Sequence, residues 1–253
     1  MSEVLVGVRD GVQVITINRP EAKNAVNGAV ARGVSAALAE LDASDELRVG
    51  VLTGAGGTFC SGMDLKGFLG GDLPFVDERG FGGITQRPPR KPIIAAVEGY
   101  AVAGGFELTL ACDLVVAAQG ARFGVPEVKR GLVAAAGAAM LLPQRVPPAI
   151  ALEMLLTGDP ITAERAAALG LVNRVTDDGA SLDGALELAA TIGANGPLAV
   201  AITKQIAHES ADWSRDERWK KQESLVMPVL GSEDAQEGAK AFAEKRAPVW
   251  KGR

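Results

Sequence analysis

Apolar and polar residues alternate with a period of two at the start of the chain. Val4, Val6 and Val8 are followed, after the pair Asp10-Gly11, by Val12, Val14 and Thr16. Such alternation about an Asp-Gly turn predicts a β-hairpin. The period then lengthens: Val30, Val34, Leu38 and Leu41 share one face of a predicted helix, with Asn24 or Asn27 as its cap. The run "RVGVLTGAG" reads as a buried strand ending in a glycine loop, "PIIAAVEG" as a second buried strand, and "GGFELTLACD" as a short apolar helix. "LVVAA" and "ARFG" are strands again. Strands that alternate with helices, several of them apolar on both faces, predict an α/β architecture with a largely parallel core.

Two stretches break the pattern. Residues 67–92, "GFLGGDLPFVDERGFGGITQRPPRKP", carry no sustained period, as expected of a long functional loop. From residue 195 onward the segments "GPLAVAITKQIAHESADW" and "EDAQEGAKAFAEKR" are helical and charged, with no strand pattern. The chain therefore divides into a core, residues 1–194, and a helical region, residues 195–253.

Composition narrows the function. With 26 Lys and Arg against 31 Asp and Glu the chain carries a net charge of -5, which argues against a nucleic-acid partner. The first twenty residues mix charges among valines, so no signal peptide is expected, and no apolar run is long enough to span a bilayer. The two cysteines, Cys60 and Cys112, lie far apart without metal-ligand spacing, which fits a reducing cytoplasm. His208 is the only histidine, in a polar amphipathic stretch where a solvated surface position is expected; a multi-histidine metal site is excluded.

Candidate chemistry rests on carboxylates. Glu107 stands in "AVAGGFELTLACD", in the first turn of an otherwise apolar helix. A buried carboxylate must be paired, hydrogen-bonded or neutralised. Glu107 could cap the helix, meet an Arg or Lys, or face a cavity. Glu127 follows the strand "ARFG" in "FGVPEVKRG", and "FCSGMDL" places a small-residue turn ahead of a helix beginning near Asp64. Two carboxylates converging on one water would support general acid–base chemistry.

The segments "NRPEAKNAV", "GTFCSGMDL", "IIAAVEGYAVAGGFELTLACDLVVAA", "ARFGVPEVKRGLV", "LTGDPITAERAAALGLVNRV" and "AFAEKRAPVW", in this order, resemble the crotonase superfamily of enoyl-CoA hydratases and isomerases. The resemblance implies a spiral of ββα units with a C-terminal helical region that forms homotrimers or dimers of trimers. The implied substrate is an acyl-CoA thioester, with no metal and no cofactor beyond the coenzyme A of the substrate. It implies an oxyanion hole from the backbone N–H groups of Met63 and Gly104, and Glu107 and Glu127 as the acid–base pair. Lys23 and Ala25, with Ser61, Gly62, Asp64, Leu65 and Lys66, would line the coenzyme A channel. Phe242 and Lys245 of a neighbouring subunit would reach its nucleotide end.

The chain departs from the family pattern at two places. It has "AGG" where many hydratases have "GGG", which puts Ala103 before Gly104. After Glu127 it reads "LVAAAGAAMLLP" in place of a Pro/Gly-rich segment, and these alanines are expected to narrow the wall near that glutamate. The implied activity is enoyl-CoA hydration. The alternatives are a specialised dehydratase of the carnitinyl-CoA kind, an isomerase, or a non-catalytic acyl-CoA-binding protein.

Overall fold

The computed structural model describes residues 2–253. The opening hairpin forms as the alternation predicts: β1 (Val4–Arg9) pairs antiparallel with β2 (Val12–Ile17). Asp10 and Gly11 both adopt positive φ, 48° and 76°, the geometry that lets a two-residue turn follow strand twist. Asn27, rather than Asn24, caps α1 (Gly28–Ala43), its side chain accepting from the Val30 N–H at 2.9 Å.

β2 is joined in parallel by β3 (Val49–Gly54). Residues 67–92, a lid segment, are not structureless: they take in the end of α2 (Leu65–Leu69) and a small hairpin of β4 (Phe75–Val76) and β5 (Gly80–Phe81). β6 (Ile93–Val97), β7 (Tyr100–Val102), α3 (Gly104–Ala111), β8 (Leu114–Ala118) and β9 (Arg122–Gly124) follow, then a 3-10 turn over Pro126–Arg130. Next come α4 (Ala138–Arg145), α5 (Pro148–Thr157), β10 (Ile161–Thr162), α6 (Ala163–Ala168), β11 (Arg174–Thr176) and α7 (Ser181–Gly193). The C-terminal region is helical as expected: α8 (Pro197–Glu209), α9 (Arg218–Leu230) and α10 (Glu233–Glu244).

The strands divide into two layers. The main sheet has the order β1-β2-β3-β6-β8-β11 and is parallel from β2 onward. One face, with Ile15, Leu52, Ile93 and Ala95, packs against Val34, Leu38 and Leu41 of α1; the other, with Val49, Val51, Ile94 and Val116, packs against Ala185 and Ala189 of α7. Strands covered on both faces carry near-continuous apolar runs, which is why "PIIAAVEG" shows no alternation.

The second layer is β10-β9-β7, extended by parallel bridges from Ala101 to Cys60 and from Met63 to Val26. Each turn of chain thus adds one segment to each layer and then a helix. That is the expected spiral of ββα units. Among the described residues no single helix is long and apolar enough to cross a membrane.

Candidate active site

The second layer sets the level of the site residues. Cys60 is bridged to Ala101, and Ala101 is in register with Phe123. Three residues further along each of these parallel segments stand Met63, Gly104 and Pro126, with Glu127 one residue beyond, so the three candidate site residues leave neighbouring parallel segments at the same edge of the layer. Residues 41 and 23 apart in sequence become neighbours because the spiral repeats.

The turn at 60–64 directs a backbone donor toward that edge. Val26 N–H donates to Gly62 O at 2.8 Å, and Asp64 N–H donates to Val26 O at 2.8 Å. This parallel bridge uses the groups on either side of Met63, so the N–H of Met63 itself points away from Val26. Gly62 has φ 102°, and a Cβ there would lie 2.8 Å from Ala103 Cβ and 3.2 Å from Gly104 N. The turn therefore packs directly against the N-terminus of α3. Ala103 holds φ 53° and ψ -132° where many hydratases have glycine, a conformation that strains an L-residue by about 1–3 kcal/mol. Its N–H donates to Gly124 O at 2.9 Å, which ties this strained position to β9.

Glu107 is 3% exposed, one turn into α3. It caps a helix, but not its own. Its Oε1 accepts from the N–H groups of Ala136, at 2.8 Å, and Ala138, at 3.1 Å, the latter the first residue of α4. The alanine-rich segment therefore supports Glu107, and its Leu132 N–H donates to the Glu127 carbonyl at 3.1 Å. The cause is the positive φ of Gly131 and Gly137, 67° and 129°, which folds the segment back across α3.

Glu127 sits in the 3-10 turn after β9, and its Oε2 is buried without a partner among the described residues. Burial pushes the Glu107 carboxyl above the ordinary carboxylate range. The N–H of Ala138 opposes this, while the charge of Glu127 adds to it. Burial likewise raises Glu127, against its own backbone N–H and the charge of Arg130. Two carboxyls that sense each other and both hold protons more tightly than usual suit proton transfer near neutral pH.

The raised pKa has a stability consequence with a definite sign. A carboxyl raised in the folded state favours folding below its unfolded pKa, and this contribution is lost as pH rises through the folded value. Glu107→Gln keeps a carbonyl acceptor for Ala136 and Ala138 and removes the buried charge. Denaturant titration is expected to show the variant more stable than wild type at pH 8, by on the order of 1 kcal/mol, since each pK unit is about 1.4 kcal/mol. At pH 4 the difference should vanish; equal stability at both pH values would contradict the raised Glu107.

The segments expected along the channel do come together. Ser61 N–H donates to Lys23 O at 3.1 Å, and Lys23 itself holds φ 49°. Ala25 offers its carbonyl to Arg19 at 2.6 Å. Leu65 and Lys66 open α2, and Leu65 is exposed. Asp64 differs from the other residues expected along the channel. Its Oδ1 caps α2 by accepting from Lys66 and Gly67, and its Oδ2 accepts from Arg19 at 2.8 Å. The Arg19 hydrogen bond and the Gly67 N–H hold its carboxyl below the usual range. Its carboxylate is engaged within the protein, which is a structural duty rather than an open ligand contact. The sequence offered no signal for Arg19 beyond its place in "NRPEAKNAV".

The lid reaches the same edge. A Cβ on Gly104 would lie 2.5 Å from Phe81 Cζ, so the Phe81 ring rests on the Gly104 backbone. Phe75 meets Phe81 edge-on, with centroids 5.8 Å apart. Phe242 is 88% exposed on α10 and Lys245 closes that helix with φ 54°. His208 is exposed, as expected, and its Nε2 also lies 2.9 Å from Asp113 Oδ1, beside the Lys204–Asp113 ion pair. The described residues contain no group of His, Cys, Asp and Glu able to hold a metal ion.

Two layers of spiralled strands, with the buried Glu107 and the half-buried Glu127 following neighbouring segments of the second layer, are the architecture of a crotonase-type enzyme. Residues 7–253 match the enoyl-CoA hydratase/isomerase family, and the chain belongs to that family, within the crotonase superfamily. It is 58% identical to an enoyl-CoA hydratase from Mycobacterium marinum, whose structure superposes with a TM-score of 0.98 over 100% of both chains. A carnitinyl-CoA dehydratase of Salmonella typhi is 43% identical over 262 residues, covering 100% of each. The structure of a carnitinyl-CoA hydratase from Mycobacterium avium is 44% identical with a TM-score of 0.80, again over 100% of both chains.

Proposed function

We propose that the protein is a hydro-lyase of acyl-CoA thioesters, adding water reversibly across the 2,3 double bond of a 2-enoyl-CoA. The observation that carries this reading is the pair of a buried Glu107 and a half-buried Glu127 whose Oε2 is buried, with both carboxyls raised and the charge of Glu127 acting on Glu107, beside the Met63–Gly104 backbone edge.

In this reading the thioester oxygen accepts from the N–H groups of Met63 and Gly104. The pair of carboxyls holds one proton. Glu127 removes a proton from water as its oxygen bonds to Cβ, and the electron pair of the double bond moves toward the thioester oxygen as an enolate. The two aimed donors, one at a helix N-terminus, stabilise that charge. Glu107 steadies the water and the pair returns a proton to Cα, so the site ends with the one proton it began with. Because the carboxyls are coupled, the two titrations belong to the pair. Lys23, Ala25, Ser61, Leu65 and Lys66 would lie along the coenzyme A, and the reaction needs no metal or further cofactor.

A second reading, dehydration of carnitinyl-CoA, is supported by the names of the Salmonella and M. avium relatives. The aromatic pair Phe75 and Phe81 beside Gly104 suits either acyl group, since aromatic faces accept an alkyl chain or a quaternary ammonium. The deciding experiment measures loss of enoyl-thioester absorbance for 2-enoyl-CoAs of increasing length, and its appearance from carnitinyl-CoA. Turnover of simple enoyl-CoAs supports the first reading. Turnover of carnitinyl-CoA alone assigns the second, and no turnover of any member overturns both.

A further inference from the structure

The backbone donor at Met63 sits on a turn with little regular structure to hold it. The turn borders α2, a helix of five residues, and contributes a single bridge residue to the second layer. Its direction depends on the opposing segment, residues 19–26, which contains two consecutive residues with positive φ, Lys23 and Asn24, at 49° and 55°. Backbone hydrogen bonds close the local turn, and positive-φ residues other than glycine persist only where the surroundings hold them.

Two side chains hold it. Asn24, fully buried, accepts from the Arg19 N–H at 2.9 Å and donates to the carbonyls of Ala55, at 2.8 Å, and Thr58, at 2.6 Å. Arg19 donates to Ala25 O at 2.6 Å and to Asp64 Oδ2 at 2.8 Å, and Glu3 Oε1 lies 3.3 Å from its Nε. The guanidinium thus grips one residue on each side of the Val26–Met63 bridge: Ala25 just before Val26, and Asp64 just after Met63. The Arg19 and Asp64 side chains are 13% and 17% exposed, a setting in which a charged, forked contact is far stronger than at an open surface.

The geometry points to Arg19 and Asp64 as positioning residues for the oxyanion donor at Met63, a clamp that sets the direction of its N–H without touching substrate. This rests on the oxyanion reading given above. Arg19 binds the two strands of the bridge with one rigid planar group, and Asp64 links that group to the cap of α2. A displacement of the turn by a fraction of an ångström would weaken the donor while leaving the glutamates in place.

The test uses the full-length protein and butyryl-CoA labelled with carbon-13 at the thioester carbonyl, a saturated ester that cannot be hydrated. Infrared difference spectra read the hydrogen bonding of the bound carbonyl directly. Wild type should show the stretch lowered on binding. Arg19→Met should bind the ester within about twofold of wild type, lose part of that lowering, and lose roughly 10- to 100-fold in kcat with little change in KM, a size usual for small misplacements. Arg19→Lys should recover part of both effects, because it keeps the charge and loses the fork. Asp64→Asn keeps an N-cap side chain for α2 and breaks only the charged grip, so it serves if Arg19→Met does not fold. A full carbonyl shift and normal kcat in a folded Arg19→Met or Asp64→Asn variant would overturn the clamp. Absence of any shift in wild type would overturn the oxyanion reading itself, a distinguishable result.

Discussion

Glu127→Gln is expected to reduce kcat on the best substrate by roughly 10²–10⁴, with KM nearly unchanged. The amide is close to isosteric with the carboxyl and leaves the 3-10 turn over Pro126–Arg130 intact, but it cannot take a proton from water. Glu127 is the better of the two glutamates for this experiment because its Oε2 is unpartnered among the described residues, whereas Glu107 caps α4. The wild-type profile supplies a second check. Activity needs an ionised carboxylate, so it should fall on the acid side with a midpoint above the ~4.3 of a free glutamate, following the direction of both shifts. A variant retaining wild-type kcat would remove Glu127 from the chemistry.

The second large effect is expected from a residue with no side chain. Gly62→Ala places a methyl group 3.2 Å from Gly104 N and 2.8 Å from Ala103 Cβ, at a φ of 102°. Either the two donor segments separate or the methyl group crowds the oxygen that both would bind. Losing one aimed donor lowers kcat by about 10²–10³. The backbone strain is of order 1–3 kcal/mol, so a loss of stability is expected as well. Gly57→Ala separates the two effects: Gly57 also has positive φ, 74°, yet a Cβ there meets nothing within 4 Å. Steady-state kinetics beside thermal melts should show both variants destabilised and only Gly62→Ala inactivated. If Gly57→Ala loses activity equally, general loosening explains the result and the hole is not at Gly62.

Much of the scaffold could be read from near neighbours. The hairpin at Asp10-Gly11, the helix carrying Val30, Val34, Leu38 and Leu41, and the apolar strands at 49–54 and 93–97 each follow from side-chain periodicity over a few residues. Glu107 was conspicuous for the same local reason, as a charge in an apolar helix. The lid was harder to read: its hairpin pairs only Phe75–Val76 with Gly80–Phe81, too short to leave a period. Asn27 could not be separated from Asn24 as the cap, because both are good capping residues and only the fold sends Asn24 inward to Ala55 and Thr58.

Local pattern thus determined the elements, the apolar faces of the main sheet and the residue types able to do acid–base work. Tertiary structure decided which of those residues meet. Glu107 is held by Ala136 and Ala138, Arg19 reaches Asp64, and Met63 stands level with Gly104. Each pairing joins residues 29 to 45 positions apart and depends on the register of the second layer. Periodicity records only what a residue shares with neighbours two to four positions away. The chemistry of this chain lies in contacts between successive turns of a spiral, whose pitch is set by how whole strands and helices pack.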